Sequence, residues 1–221
     1  MTVVFTDSFT VGANIDPASY PSGNPDYSYL LGAVNNAEVD ATDDRLEIVS
    51  TAVDVVLRII DTTAPTGDQQ ITADCRSEGS DDNGNVAARC AAATADCYVG
   101  QTIKSEANEV KIYRVTSGGF TLIADGDRGL ANAAATHSYR LKATGTNPVE
   151  LEFQVDATAA VTFSDSDASR KQSGRSGIGG YNDATRQGWV DNVSVDDLVA
   201  AAMVPPTPTL KLQAVGRAAS W

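Results

Sequence analysis

Cysteine, histidine and tryptophan are scarce in this sequence, and long apolar runs are missing. Three cysteines (Cys75, Cys90, Cys97) and one histidine (His137) occur in 221 residues, with no CxxC pair, so a structural zinc site is not expected. No segment reaches the roughly 20 consecutive apolar residues of a membrane-spanning helix. Basic residues are also short: 16 Lys and Arg stand against 29 Asp and Glu, for a formal net charge of −13. A face that binds phosphate needs cations in excess, so neither nucleic acid nor an anionic membrane is expected as a partner. The opening Met1-Thr-Val-Val-Phe-Thr-Asp7 lacks a basic start and an apolar core. No signal peptide is therefore expected, and synthesis is placed in a cytoplasm. Cys90 and Cys97 flank a six-residue connection that sets them opposite each other on a hairpin. A disulfide there is geometrically conceivable, but a cytoplasmic origin favours free thiols, with Cys75 on a face with Ile71 and Ala73, and Cys90 with Val86 and Ala88.

What the chain does hold is β-branched residues in short alternating runs. Gln70–Arg76 puts Ile71, Ala73 and Cys75 on one face and Thr72, Asp74 and Arg76 on the other. His137–Ala143 and Val149–Asp156 form the cleanest pair: Tyr139, Leu141 and Ala143 match Val149, Leu151, Phe153 and Val155 on one side. On the other side Arg140 and Lys142 meet Glu150 and Glu152, and a one-residue slip would bury those acids. Further strands are expected at residues 1–10, 27–31, 45–50, 54–61, 86–90, 97–102, 109–115, 120–124, 160–164 and 189–195. Roughly a dozen strands at spacings of about 8 to 12 residues, without an amphipathic helix, predict an all-β, antiparallel two-sheet jelly-roll sandwich. Residues 174–188, with five glycines, read as turns feeding the last strand. That strand, through Val190-Asp-Asn-Val193, is expected to lie beside Phe5-Thr-Asp-Ser-Phe9. Past Leu198 the texture changes to a helical turn at Val199–Met203, a polyproline spacer at Val204–Thr209, and a net positive end.

Several pieces together resemble the concanavalin A-like lectin/glucanase (laminin G-like) jelly rolls of bacteriophage virion structural proteins. They are Phe5-Thr-Asp-Ser-Phe9, Asn85-Val-Ala-Ala-Arg89 with Cys97-Tyr-Val-Gly100, and Val110–Val115 with Gly119-Phe-Thr-Leu122. The others are His137–Leu141 with Val149–Asp156, and Gly174-Arg-Ser-Gly-Ile-Gly-Gly180 with Val190–Val193. The resemblance implies a concanavalin A-like domain over residues 1–198 and a linker with a docking tail over 199–221. Its leading functional implication is a non-enzymatic virion protein, on the capsid or associated with tail or fibre, made in the host cytoplasm. It would be anchored to other virion proteins, as a homo-oligomer on the particle, through Leu210, Lys211, Leu212, Arg217 and Trp221.

The alternative is a lectin-like adhesin for host-surface glycans. Sugar C–H faces stack on rings while hydroxyls need polar neighbours, and Tyr181, Asp183 and Trp189 supply both. The competing assignment has Trp189 covering the sandwich end. A glucanase-like hydrolase is the third reading, since related glucanases alternate carboxylates along a strand. Glu150, Glu152 and Asp156 come nearest, but the central Asp of that motif is missing, so no catalytic residue is assigned. His137 has no GxSxG partner motif. No cofactor is expected; Ca²⁺ is the ion the resemblance admits, although Asp81–Asn85, Asp125–Asp127 and Asp165–Asp167 read as ordinary turns.

Overall fold

The computed structural model describes residues 2–9, 27–31, 37–40, 42–48, 53–60, 67–77, 83–91, 93–103, 109–130, 135–183 and 188–198. The expected tail residues Leu210, Lys211, Leu212, Arg217 and Trp221, the helical turn and the proline spacer lie outside them. Fifteen strands and no helix are found among the described residues. They are β1 (Thr2–Asp7), β2 (Tyr27–Leu31), β3 (Ala37–Asp40), β4 (Arg45–Ile48) and β5 (Val53–Ile60). Then come β6 (Gln69–Ser77), β7 (Asn83–Ala91), β8 (Asp96–Thr102), β9 (Val110–Thr116) and β10 (Gly119–Gly126). The last five are β11 (Ala135–Thr144), β12 (Val149–Val155), β13 (Val161–Asp165), β14 (Arg175–Asp183) and β15 (Trp189–Asp197).

All pairings are antiparallel. One sheet of eight strands runs β13-β12-β11-β6-β15-β4-β3, with β1 also on β15; the other, of seven, runs β10-β9-β8-β7-β14-β5-β2. The expected sandwich is present. The β11–β12 register pairs Tyr139 with Val155, Leu141 with Phe153 and Ala143 with Leu151, all buried, and Arg140 ion-pairs with Glu152 outside. The main core lies between the sheets and includes Ile71, Tyr98, Ile112, Phe153 and Val190. The sheets meet closely there. A Cβ on Gly100 would stand 2.6 Å from the Phe153 ring, and one on Gly84 would stand 2.5 Å from the Trp189 carbonyl oxygen.

Two expectations need correction. Residues 174–188 are not a run of turns, because Arg175–Asp183 is a central strand of the seven-stranded sheet, bonded to β5 on one side and β7 on the other. Glycine loses much entropy in a strand, but neighbours on both sides fix the backbone, and Ser176 through Gly180 are all buried. Cys90 also does not share a face with Val86 and Ala88. The β7–β8 register slips between Ala88 and Ala91, where Arg89 takes φ of 55°, so Cys90 turns to the opposite face. There it joins Leu57, Ile59, Ala87, Cys97, Val99 and Val115 in a second apolar cluster.

Candidate functional site

The first strand closes the sheet on the last. Phe5 pairs with Val195, Thr6 with Ser194 and Asp7 with Val193, the neighbourhood expected from sequence. On its other side β15 pairs Asp191 with Asp74 and Ser194 with Thr72, so Asn192 and Val193 together face one residue of β6. This bulge buries Val193 in the core and leaves Asn192 exposed at φ of 48°. Beside it opens a cleft of about 360 Å³ lined by Thr6, Asp7, Ser8, Asn192, Val193 and Ser194.

Its polar groups are held in place by short local bonds. Asp7 accepts the Phe9 N–H at 2.8 Å and the Tyr27 hydroxyl at 2.9 Å. Phe9, fully buried at φ of 52°, stacks on Tyr27 with ring centroids 5.9 Å apart. Asn192 donates its backbone N–H to Asp191 at 2.6 Å. Its side-chain amide donates to Asp74 at 3.0 Å and Asp191 at 3.2 Å. That turns the amide oxygen away from the aspartates. The lining therefore offers hydroxyls, an oriented amide and a carboxylate, without Lys, Arg, His or Cys.

The field at the bulge is negative. Burial raises the Asp191 carboxyl above its ordinary range, and the nearby charges of Asp74, Asp44 and Asp7 push the same way, against the Asn192 N–H. A carboxyl raised on folding takes up a proton between its unfolded and folded pKa values. Its stabilising share is present at pH below the unfolded value and is lost as pH rises through the folded one. Asp191→Asn should therefore raise the melting temperature at pH 7, with the gain shrinking towards pH 3. Asn192 keeps its Asp74 acceptor in that variant. Thermal unfolding of both proteins across this range checks the expectation.

Of the residues expected to touch glycan, Tyr181 and Trp189 stand in different sheets. Trp189 starts β15 in the eight-stranded sheet, where its neighbour Val190 points into the core and Trp189 faces outward. It is 8% exposed and has the Arg45 guanidinium 5.1 Å from its ring centroid. Tyr181 belongs to the other sheet, paired with Val55 and Asn83, and shares the outward parity of Gly179 opposite Leu57. The Asp183 side chain is outside the described residues. The three acids of the hydrolase reading are taken up by neighbours. Glu150 accepts Ser164 Oγ at 2.8 Å, Glu152 pairs with Arg140, and Asp156 accepts His137 Nδ1–H at 2.7 Å and Ser138 N–H at 2.9 Å. One group of three carboxylates, Glu38, Asp40 and Glu47, lies together on the β3–β4 hairpin; Arg45 already occupies Glu47. Thr6, Ser8, Asn192 and Ser194 were not singled out from sequence. The Asp-Ser and Asp-Asn dipeptides at the two facing strand ends were the available signal, as turn-forming pairs.

No protein-family model matches the chain, and no curated protein matches it. Solved structures do. A carbohydrate-binding module, CBM66 from Bacillus subtilis, superposes with a TM-score of 0.59 at 13% identity, over 80% of this chain and 98% of that one. A Bacillus subtilis protein of unknown function with a galectin-like fold gives 0.62 at 12%, over 89% and 96%. The fold is a galectin-like, concanavalin A-like jelly roll. A Bacillus licheniformis β-glucanase also shares it, at a TM-score of 0.51 and 10% identity over 84% and 98% of the two chains. Jelly rolls of this kind thus carry both binding and hydrolytic proteins, and identities this low speak for fold alone.

Proposed function

We propose that this jelly roll is a non-catalytic carbohydrate-binding module that takes neutral glycan in the β1–β15 cleft. The supporting observation is the cleft itself, an open groove whose lining is hydroxyl, amide and carboxylate, with Asp7 and Asn192 fixed from opposite strands. Sugar hydroxyls both donate and accept, and a mixed lining of this kind matches them better than it matches an anion. The likeness to a carbohydrate-binding module agrees with this reading. The occupied state of Glu150, Glu152 and Asp156 favours binding over hydrolysis.

A glycan array followed by titration calorimetry tests the proposal. Thr6 and Ser194 face each other across the strand pair, so Thr6→Val with Ser194→Ala removes two hydroxyls from one spot. At about 1 kcal/mol per hydrogen bond, the double variant should bind about thirtyfold more weakly. Trp189→Ala, on the other candidate surface, should leave affinity within a few-fold once folding is matched. No binding of any glycan by the wild-type chain would remove the proposal. The virion placement implied by the phage resemblance has no support from the comparisons and depends on residues 204–221; its own test is incorporation of a chain lacking them.

A further inference from the structure

Cys90 and Cys97 are expected from their spacing to lie opposite each other on a hairpin, and the fold places them so. The register pairs Ala88 with Tyr98 and Ala91 with Asp96, so Arg89 and Cys90 together oppose the single residue Cys97. Both cysteines are free, buried, and members of the second apolar cluster on one face of the seven-stranded sheet. On that face Cys90 and Cys97 stand in neighbouring, hydrogen-bonded strands. Cys75 faces the core between the sheets, in a different cluster. Cysteines that oppose each other on adjacent antiparallel strands and share one face are in the arrangement a cross-strand disulfide requires.

We propose that Cys90 and Cys97 are an oxidisable pair, closed by peroxide into a disulfide that staples the β7–β8 bulge. Cys90 retains 3% exposure and Cys97 none, so Cys90 is the thiol attacked first. Its sulfur attacks one oxygen of hydrogen peroxide, giving a sulfenic acid and one water. The Cys97 sulfur then displaces the sulfenic oxygen as a second water, and the S–S bond forms. Two thiols are oxidised, one peroxide is reduced, and both thiol protons leave in water. Burial holds the Cys90 thiol well above its ordinary range, so the reaction is slow at neutral pH and speeds up as pH rises.

The sequence makes the test direct. Trypsin cuts after Arg89 and Lys104, so both cysteines fall in one peptide, residues 90–104, while Cys75 falls in residues 59–76. The intact protein is treated with hydrogen peroxide, unfolded, alkylated, digested and weighed by mass spectrometry. The 90–104 peptide should be two hydrogens lighter and unalkylated, taking two alkyl groups only after reduction, while Cys75 is alkylated throughout. A 90–104 peptide that takes two alkyl groups after peroxide, or carries a sulfonic acid in place of the disulfide, overturns the proposal. So does a cross-link from Cys75 to either residue.

Discussion

Arg89→Met is expected to cost about 1–3 kcal/mol of folding stability for the buried Lys171 carbonyl left without a donor, with a smaller loss at the part-buried Gly145 carbonyl, which water can reach. The Arg89 side chain has no exposure and reaches two backbone oxygens, of Lys171 at 2.9 Å and Gly145 at 2.7 Å. Its own N–H donates to Gln69 at 3.2 Å, and Gln69 in turn binds the Gly174 carbonyl and Ser176. Three segments, around residues 68, 145 and 171–176, are thereby tied to the β7 bulge. Gly174 shows how tightly: at φ of 147°, a Cβ there would stand 2.4 Å from the Arg89 carbonyl carbon. Burial lowers the guanidinium's proton affinity, opposed by Asp68 at 3.6 Å, and arginine stays charged all the same. Methionine keeps much of the stem and loses every donor. Arg89→Lys should fall between wild type and Arg89→Met, because one ammonium cannot span both carbonyls. Urea unfolding reads the result as a lower midpoint with little change in slope; a loss under about 0.5 kcal/mol for Arg89→Met would contradict the clasp.

Gly84→Ala should destabilise by about 3 kcal/mol or more, the upper end for overpacked cores, because the added methyl meets backbone. Its Cβ would lie 2.5 Å from the Trp189 carbonyl oxygen and 2.9 Å from Cys75 Cβ, both in the opposite sheet. Neither can swing aside without moving β15 or β6. Gly100→Ala makes an instructive companion. There the obstacle is the Phe153 ring at 2.6 Å, itself packed edge-on against Tyr139 at 5.4 Å. Phe153→Leu should therefore recover part of the loss in Gly100→Ala and none in Gly84→Ala. Equal rescue in both backgrounds would show that the sheets, rather than single contacts, adjust.

Legibility in the sequence followed the strength of alternation. β11 and β12 were plain because Tyr139, Leu141 and Ala143 alternate with charged residues, and slippage would bury acids. The closure of Phe5–Phe9 on Val190–Val193 was also readable, since both ends are strand-like and carry an Asp before apolar residues. β14 was not, because Gly177, Gly179 and Gly180 have the composition of a turn and only bonding to β5 and β7 makes them a strand. β3, four residues in polar surroundings, was too short to announce itself. Bulges were the recurring blind spot. The one at Arg89 and Cys90 reverses which way Cys90 points and buries a charge that reads as a surface residue. The one at Asn192 and Val193 creates the edge of the cleft, so Phe5–Phe9 and Val190–Val193 could be set side by side from sequence but not placed beside a groove.

Among the described strands β1 pairs with β15 alone, and that has a consequence for how the molecule forms. Thr6 and Ser194 are separated by nearly the whole chain, so their meeting closes the largest loop in the topology. On a ribosome, β1 emerges before the other described strands and has no partner among them until β15 is made. The groove is accordingly the last surface to be assembled. A ligand that fits it would recognise only finished molecules, and would hold the two ends of the fold together when it binds.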